Sequence, residues 1–165
     1  MHKLKPITID AVPAALVKAE RYRLIGDPSG AESICLDVLA VDPANQQAVS
    51  TLLLAITDQF DQGVSASRAR ALLPRLQGEY EKHYYAGIIA ERTAHAQLRR
   101  RSPNSSFTAY DGFRFAMECY AKAEAVRPAG NDDAILRWNT CARVLMSNQT
   151  LRPRPDEAFE PVLGE

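Results

Sequence analysis

Apolar residues recur at intervals of three and four along most of the chain, the period of an α-helix with one buried face. A first helix is predicted from about Val12 to Leu24, with Leu16, Ala19 and Tyr22 in register and Gly26-Asp27-Pro28 as its stop. A second runs from about Ser29 to Val41 on the stripe Ala31, Ile34, Cys35, Val38, Leu39, and Asp42-Pro43 ends it. A third, from Ala44 or Asn45 to about Gln59, repeats Val49, Leu52, Leu53, Ile56 and Phe60. The fourth spans about Ser65 to Gln77, with a kink or early end at Pro74. A long fifth helix covers Glu79 to Arg100. Ser102–Ser106 reads as a loop whose last serine caps a sixth helix, Phe107 to Val126. A seventh starts near Asn131 and carries Ile135, Trp138, Cys141, Ala142 and Leu145. Alternating β-branched runs bounded by hairpin turns are absent. The expected class is all-α, with an irregular arm at 1–11, a helical domain at 12–148 and a Pro-rich acidic tail at 149–165.

Composition agrees with this reading. The chain has 165 residues, 46% apolar and 24% charged, and 25 alanines that favour helix. No apolar run reaches the roughly 20 residues that span a bilayer. The first residues lack the continuous apolar stretch of a signal peptide. Cys35, Cys119 and Cys141 sit at wide spacings among apolar neighbours, which predicts buried, reduced thiols and a cytoplasmic protein.

Seven helices joined by short turns call for a search for a repeat. The stretch GDPSGAESICLDVLAVDPAN, Gly26 to Asn45, resembles the second half of a tetratricopeptide repeat (TPR). Ala31 takes that family's small position, Cys35 and Val38 the later packing positions, and Pro43 the closing proline; Tyr22 matches the aromatic of the first helix. The unit 12–45 has the family's 34-residue period. Downstream, Ala116, Tyr120, Ala123 and Pro128 fall at the same relative spacings, and Ala134 to Leu145 looks like a further first helix, with Trp138 near the large apolar position. Pro43 and Pro128 lie 85 residues apart, two and a half periods, so the array is irregular: about three hairpins and a capping helix.

The resemblance implies a right-handed α-solenoid whose first helices line a concave groove for a peptide or a partner helix. Groove positions fall at Leu16, Glu20, Ser50, Leu54, Asp58, Tyr84, Ile88, Arg92 and Arg137, with Leu136 and Thr140 beyond. Leu54 and Ile88 satisfy a core position equally well, and Tyr84 and Tyr85 cannot both face the groove. Family members that hold a C-terminal carboxylate use Lys, Asn and Arg at positions occupied here by Leu16, Glu20, Thr51, Glu81 and Tyr85, so a carboxylate clamp is not expected.

The sharpest charged feature is Arg99-Arg100-Arg101, with His95 and Arg92 one and two turns earlier. It reads as cations at a helix C-terminus, as a phosphate or RNA contact, or as a seat for the chain's own acidic tail (Asp156, Glu157, Glu160, Glu165). The 20 basic and 20 acidic groups cancel over the whole chain, which argues against bulk attraction to nucleic acid. By segment they do not cancel: 5 basic and 8 acidic groups in 1–61, 8 and 3 in 62–101, 7 and 9 in 102–165. His83 and His95 lack the spacing of a metal motif, and no phosphate loop, nucleophile elbow or low-pKa thiol is present. The expectation is a non-enzymatic scaffold without cofactor or metal, binding another protein or a peptide. A homodimer through the C-terminal helix is a further option, since Ile135, Trp138 and Leu145 need cover.

Overall fold

The structure is a computed structural model in which residues 2–155 are described. Among these residues there are seven α-helices and no strand. They are α1 (Val12–Leu24), α2 (Pro28–Val41), α3 (Gln46–Thr57), α4 (Ala66–Arg70), α5 (Glu79–Arg100), α6 (Ser105–Ala125) and α7 (Asp133–Ser147). The all-α class expected from periodicity is the class that forms. No described helix is long and apolar enough to cross a membrane.

Local chemistry explains most of the helix ends. The Asp27 carboxylate accepts from the Gly30 N–H at 2.9 Å and caps α2. The Asn45 side chain accepts from the Ala48 N–H at 2.9 Å and caps α3. Two expectations need correction. The fourth helix is only five residues long, followed by a 3-10 turn at Leu73–Arg75. A proline ring collides with the carbonyl four residues earlier in a continuing helix; for Pro74 that carbonyl belongs to Arg70, where α4 ends. The sixth helix starts at Ser105, so Ser106 lies inside it and caps nothing; Asn104, left-handed at φ 65°, makes the turn instead. At the seventh, Asn131 accepts from the Asp133 N–H at 3.0 Å just before the helix begins.

Two apolar cores form. The first joins α1, α2, α3 and α4 around Leu16, Cys35, Val38, Val49, Leu53 and Phe60. The second joins α5, α6 and α7 around Ile88, Phe113, Met117, Tyr120 and Cys141. Helix α5 is the wall between them: Ile89 and Ala96 enter the first core, while Ile88, Ala90 and Ala94 enter the second. The closest pairs are α5 with α6, α1 with α2, α2 with α3, and α6 with α7. Beyond α7 the chain turns back at Asn148, and Leu151 is buried in the second core. The acidic residues Asp156, Glu157, Glu160 and Glu165 of the proposed fold-back contact lie outside the described residues.

Of the positions that carry the repeat resemblance, Ala31, Cys35, Val38, Ala116, Tyr120 and Ala123 are fully buried, Tyr22 is half-buried, and Pro43 and Pro128 are exposed. Trp138 is not buried: it stays 37% exposed on α7, and Leu136 and Met146 of the same helix are exposed too. Ile135 and Leu145 are half-buried, and Leu145 packs on the second core.

Candidate functional site: the face shared by alternate helices

Side chains link α1, α3, α5 and α7 in order. Gln47 of α3 donates to the Glu20 carboxylate of α1 at 3.1 Å. Asp58, at the C-cap of α3, accepts from Arg23 of α1 at 2.7 Å and pairs with Arg92 of α5. Arg92 also donates to the Thr57 hydroxyl at 2.7 Å. Arg137 of α7 approaches the Glu91 carboxylate of α5 at 3.3 Å. Polar contacts thus join each odd-numbered helix to the next, and the side of the molecule that carries them is the candidate face.

The predicted groove residues divide on this face. Leu16 and Ile88, 4% and 3% exposed, belong to the two cores and present nothing to a ligand. Leu16 shares its side of α1 with buried Val12 and Ala19, and Ile88 lies in the run Gly87–Glu91 of α5, which is buried on every side where the two cores meet. Leu54 is half-buried against the second core. Glu20 is exposed, and Ser50, Asp58, Tyr84, Arg92 and Arg137 are half-buried along the face. Tyr84 stacks on Tyr80 with ring centres 5.6 Å apart and meets Tyr85 edge-on at 5.3 Å. Burial pushes the Tyr84 hydroxyl up to about 12. Tyr85 packs on both cores yet also lines a cleft on this face. Leu136 is exposed, and Thr140 donates to its carbonyl at 2.9 Å.

The basic group is largely neutralised. Arg92 is held by Asp58, and Arg99 pairs with Asp61 at 2.8 Å. His95 lies half-buried, edge-on to Phe113 at 4.9 Å, and burial holds its pKa below the ordinary value. Within this group, Arg100 and Arg101 are exposed and make no ion pair among the described residues. They stand at the C-terminus of α5, where the helix dipole favours them.

One functional-looking residue, Glu91, went unnoticed in the sequence. Glu91 is 2% exposed, and fully buried Tyr120 donates to its carboxylate at 2.6 Å. Burial first, then the Glu91 charge, drives the Tyr120 hydroxyl far above its ordinary pKa. Burial alone would lower Arg137, but Glu91 reverses the effect and raises it. The signal was present: Glu91 falls three residues from Ile88 and from Ala94 and seven from Leu98, on an apolar stripe of α5.

Open space lies beside these contacts. A cleft of about 430 Å³ opens between α3 and the start of α5, lined by Gln46, Gln47, Ser50, Gln77, Glu81 and Tyr85. A smaller one of about 250 Å³ lies among Thr57, Asp58, Asp61, Arg92, His95 and Arg99. All three cysteines are buried and free; burial takes Cys35 to about 11 and Cys141 to about 12. Among the described residues no three His, Cys, Asp or Glu side chains are placed to hold a metal. No family model matches the chain, and neither a curated protein nor a solved structure matches it.

Proposed function

We propose that this chain is a non-enzymatic, TPR-like scaffold of the cytoplasm, which binds a peptide or helical segment of another protein along the face of α1, α3, α5 and α7. The observation that carries the reading is the series of side-chain links between successive odd helices, Glu20–Gln47, Asp58–Arg92 and Glu91–Arg137, with a cleft open between α3 and α5. A surface fixed by polar contacts is pre-organised, which lowers the ordering cost of binding. Full burial of the repeat-like positions Ala31, Cys35, Val38, Ala116, Tyr120 and Ala123 supports the solenoid reading, and three free buried thiols suit a reducing compartment.

The alternative is an RNA or phosphate ligand on the Arg99–Arg101 edge. Exposure of Arg100 and Arg101 favours it. Capture of Arg92 and Arg99 by Asp58 and Asp61 weighs against it, because a phosphate must displace those carboxylates. A second copy seated on Leu136, Trp138 and Met146 of α7 is the other protein partner the surface offers.

The test is selection of binders from a random peptide library, followed by affinity measurements on two variants. Ser50→Arg, in the middle of the face, is expected to weaken a selected peptide by about tenfold or more. Phe115→Arg, on exposed α6 surface beside α4, is expected to leave it unchanged. The opposite pattern would refute the reading.

A further inference from the structure

We propose that two copies of this chain pair antiparallel along the free edge of α7, across a two-fold axis beside Thr140. This edge is not the peptide-binding face: Arg137, which meets Glu91 on that face, lies about 100° around the helix from Trp138. Helix α7 packs chiefly on α6, and of its fifteen residues only Ala134 and Cys141 are buried. Ile135, Trp138, Ala142 and Leu145 recur at three, four and three residues, the a and d spacing of a two-helix seam. Ala142 and Leu145 touch the second core with part of their surface. Ile135 and Trp138 belong to neither core, and Met146, which flanks the seam, is 82% exposed. The last helix of a stack ordinarily turns a polar edge to water. Here that edge is apolar over about three turns.

The seam is complementary to itself, as a two-fold interface must be. With the axis beside Thr140, Trp138 meets Ala142 of the second copy, and Ile135 meets Leu145 of the second copy. The large ring thus faces a small residue, which close packing favours. A parallel pair in register would set Trp138 on Trp138 and leave Ala142 opposite Ala142.

Charge selects the same orientation. Helices α5 and α7 begin, and α6 ends, on one side of the second core, where the Tyr80 hydroxyl donates to the Asn131 side chain at 3.3 Å. That half of the three helices and their turn holds Glu79, Glu81, Glu118, Glu124, Asp132 and Asp133 against Lys82, Lys122 and Arg127, with His83 beside Glu79. The other half, with the segment after α7, holds Arg100, Arg101, Arg114, Arg143, Arg152 and Arg154 against Asp111. Arg92 and Arg99 are paired with Asp58 and Asp61, and Arg137 with Glu91. One half is therefore acidic and the other basic. Antiparallel copies set each acidic half against a basic one, whereas parallel copies set like charges together. The acids Asp156, Glu157, Glu160 and Glu165 lie outside the described residues, so a chain without them belongs in the test.

The experiment follows mass by sedimentation equilibrium, and Trp138 emission, over about a thousandfold range of concentration; Trp138 is the single tryptophan of the chain. The mass is expected to double, and the emission to move to shorter wavelength over the same range as water leaves the ring. Met146→Lys is expected to weaken the dimer about tenfold and Trp138→Lys about a hundredfold. Phe115→Arg, on exposed α6 surface beside α4, is expected to leave it unchanged. Met146 belongs to neither core, so its variant decides the question even if Trp138→Lys fails to fold. Added sodium chloride is expected to weaken the antiparallel pair by screening it. A dimer that salt strengthens has like charges together and overturns the proposal. A chain ending at Pro155 is expected to keep the dimer. A full chain that is monomeric at every concentration overturns the proposal, and dimers that form only after removal of 156–165 identify the tail as what covers α7. A dimer indifferent to both lysine variants joins through another surface, which overturns it too.

Discussion

Glu91 is the residue on which the second core turns. An ionised carboxylate at 2% exposure is costly unless it is paired and hydrogen-bonded, and Tyr120 and Arg137 supply those partners from α6 and α7. Truncating one member leaves a buried charge alone. Arg137→Met is therefore expected to cost about 3–5 kcal/mol, while Glu91→Gln/Arg137→Met is expected to cost much less. Urea denaturation of both variants checks this; equal losses would show that the pair is not coupled. His95 offers a second test at this scale. Burial holds its pKa below the ordinary 6.5, helped by Arg99 and Arg137 and opposed by Glu91 and Asp61. The unfolded chain therefore takes up its proton first. Stability is full above the unfolded value and falls as pH drops below about 6.5, levelling once the folded histidine titrates. The stability difference between the wild type and His95→Gln is expected to shrink across that window, and a difference independent of pH would contradict the assignment. Legibility at this scale was partial. Periodicity marks the stripe on which Glu91 lies, but a stripe does not tell a carboxylate that has found partners from one that faces water. The same ambiguity put Leu16 and Ile88 in a groove when they belong to cores.

At the scale of elements, the sequence was most legible where a cap or a breaker acts locally. The α1 and α5 boundaries follow directly from such signals, and Pro74 truncates α4 through its clash with the Arg70 carbonyl. Contacts between helices are less legible. Helices α5 and α6 approach through small residues: a Cβ at Gly87 would meet the Tyr120 ring at 2.5 Å, and one at Gly112 would meet the Ala94 Cβ at 3.0 Å. A glycine inside a helix costs about 1 kcal/mol of propensity relative to alanine. Gly87→Ala recovers that propensity and forces the helices apart. The clash is with a ring that is fully buried and bonded to Glu91, so it cannot be relieved cheaply. The variant is expected to be less stable than the wild type by thermal melting; a higher melting temperature would mean that α5 and α6 separate with little cost. The alanine and glycine content was visible in the sequence, but which small residue faces which ring depends on the α5–α6 register.

Over the whole molecule, the uneven charge along the chain takes on a different meaning. The sequence holds an excess of acids in 1–61 and of bases in 62–101. The fold joins those segments to each other: Glu32 with Arg68, Asp58 with Arg92, and Asp61 with Arg99. Much of the asymmetry is spent inside the molecule. No local pattern reveals this, because each pair spans more than thirty residues of sequence. The account then stands or falls on the face of α1, α3, α5 and α7. The most direct measurement is a titration of isotope-labelled protein with a library-selected peptide, followed by amide chemical shifts. The account predicts that the largest shifts map to Glu20, Gln47, Ser50, Glu81, Tyr84 and Tyr85. Shifts concentrated on α2, α4 and α6, with that face silent, would contradict it.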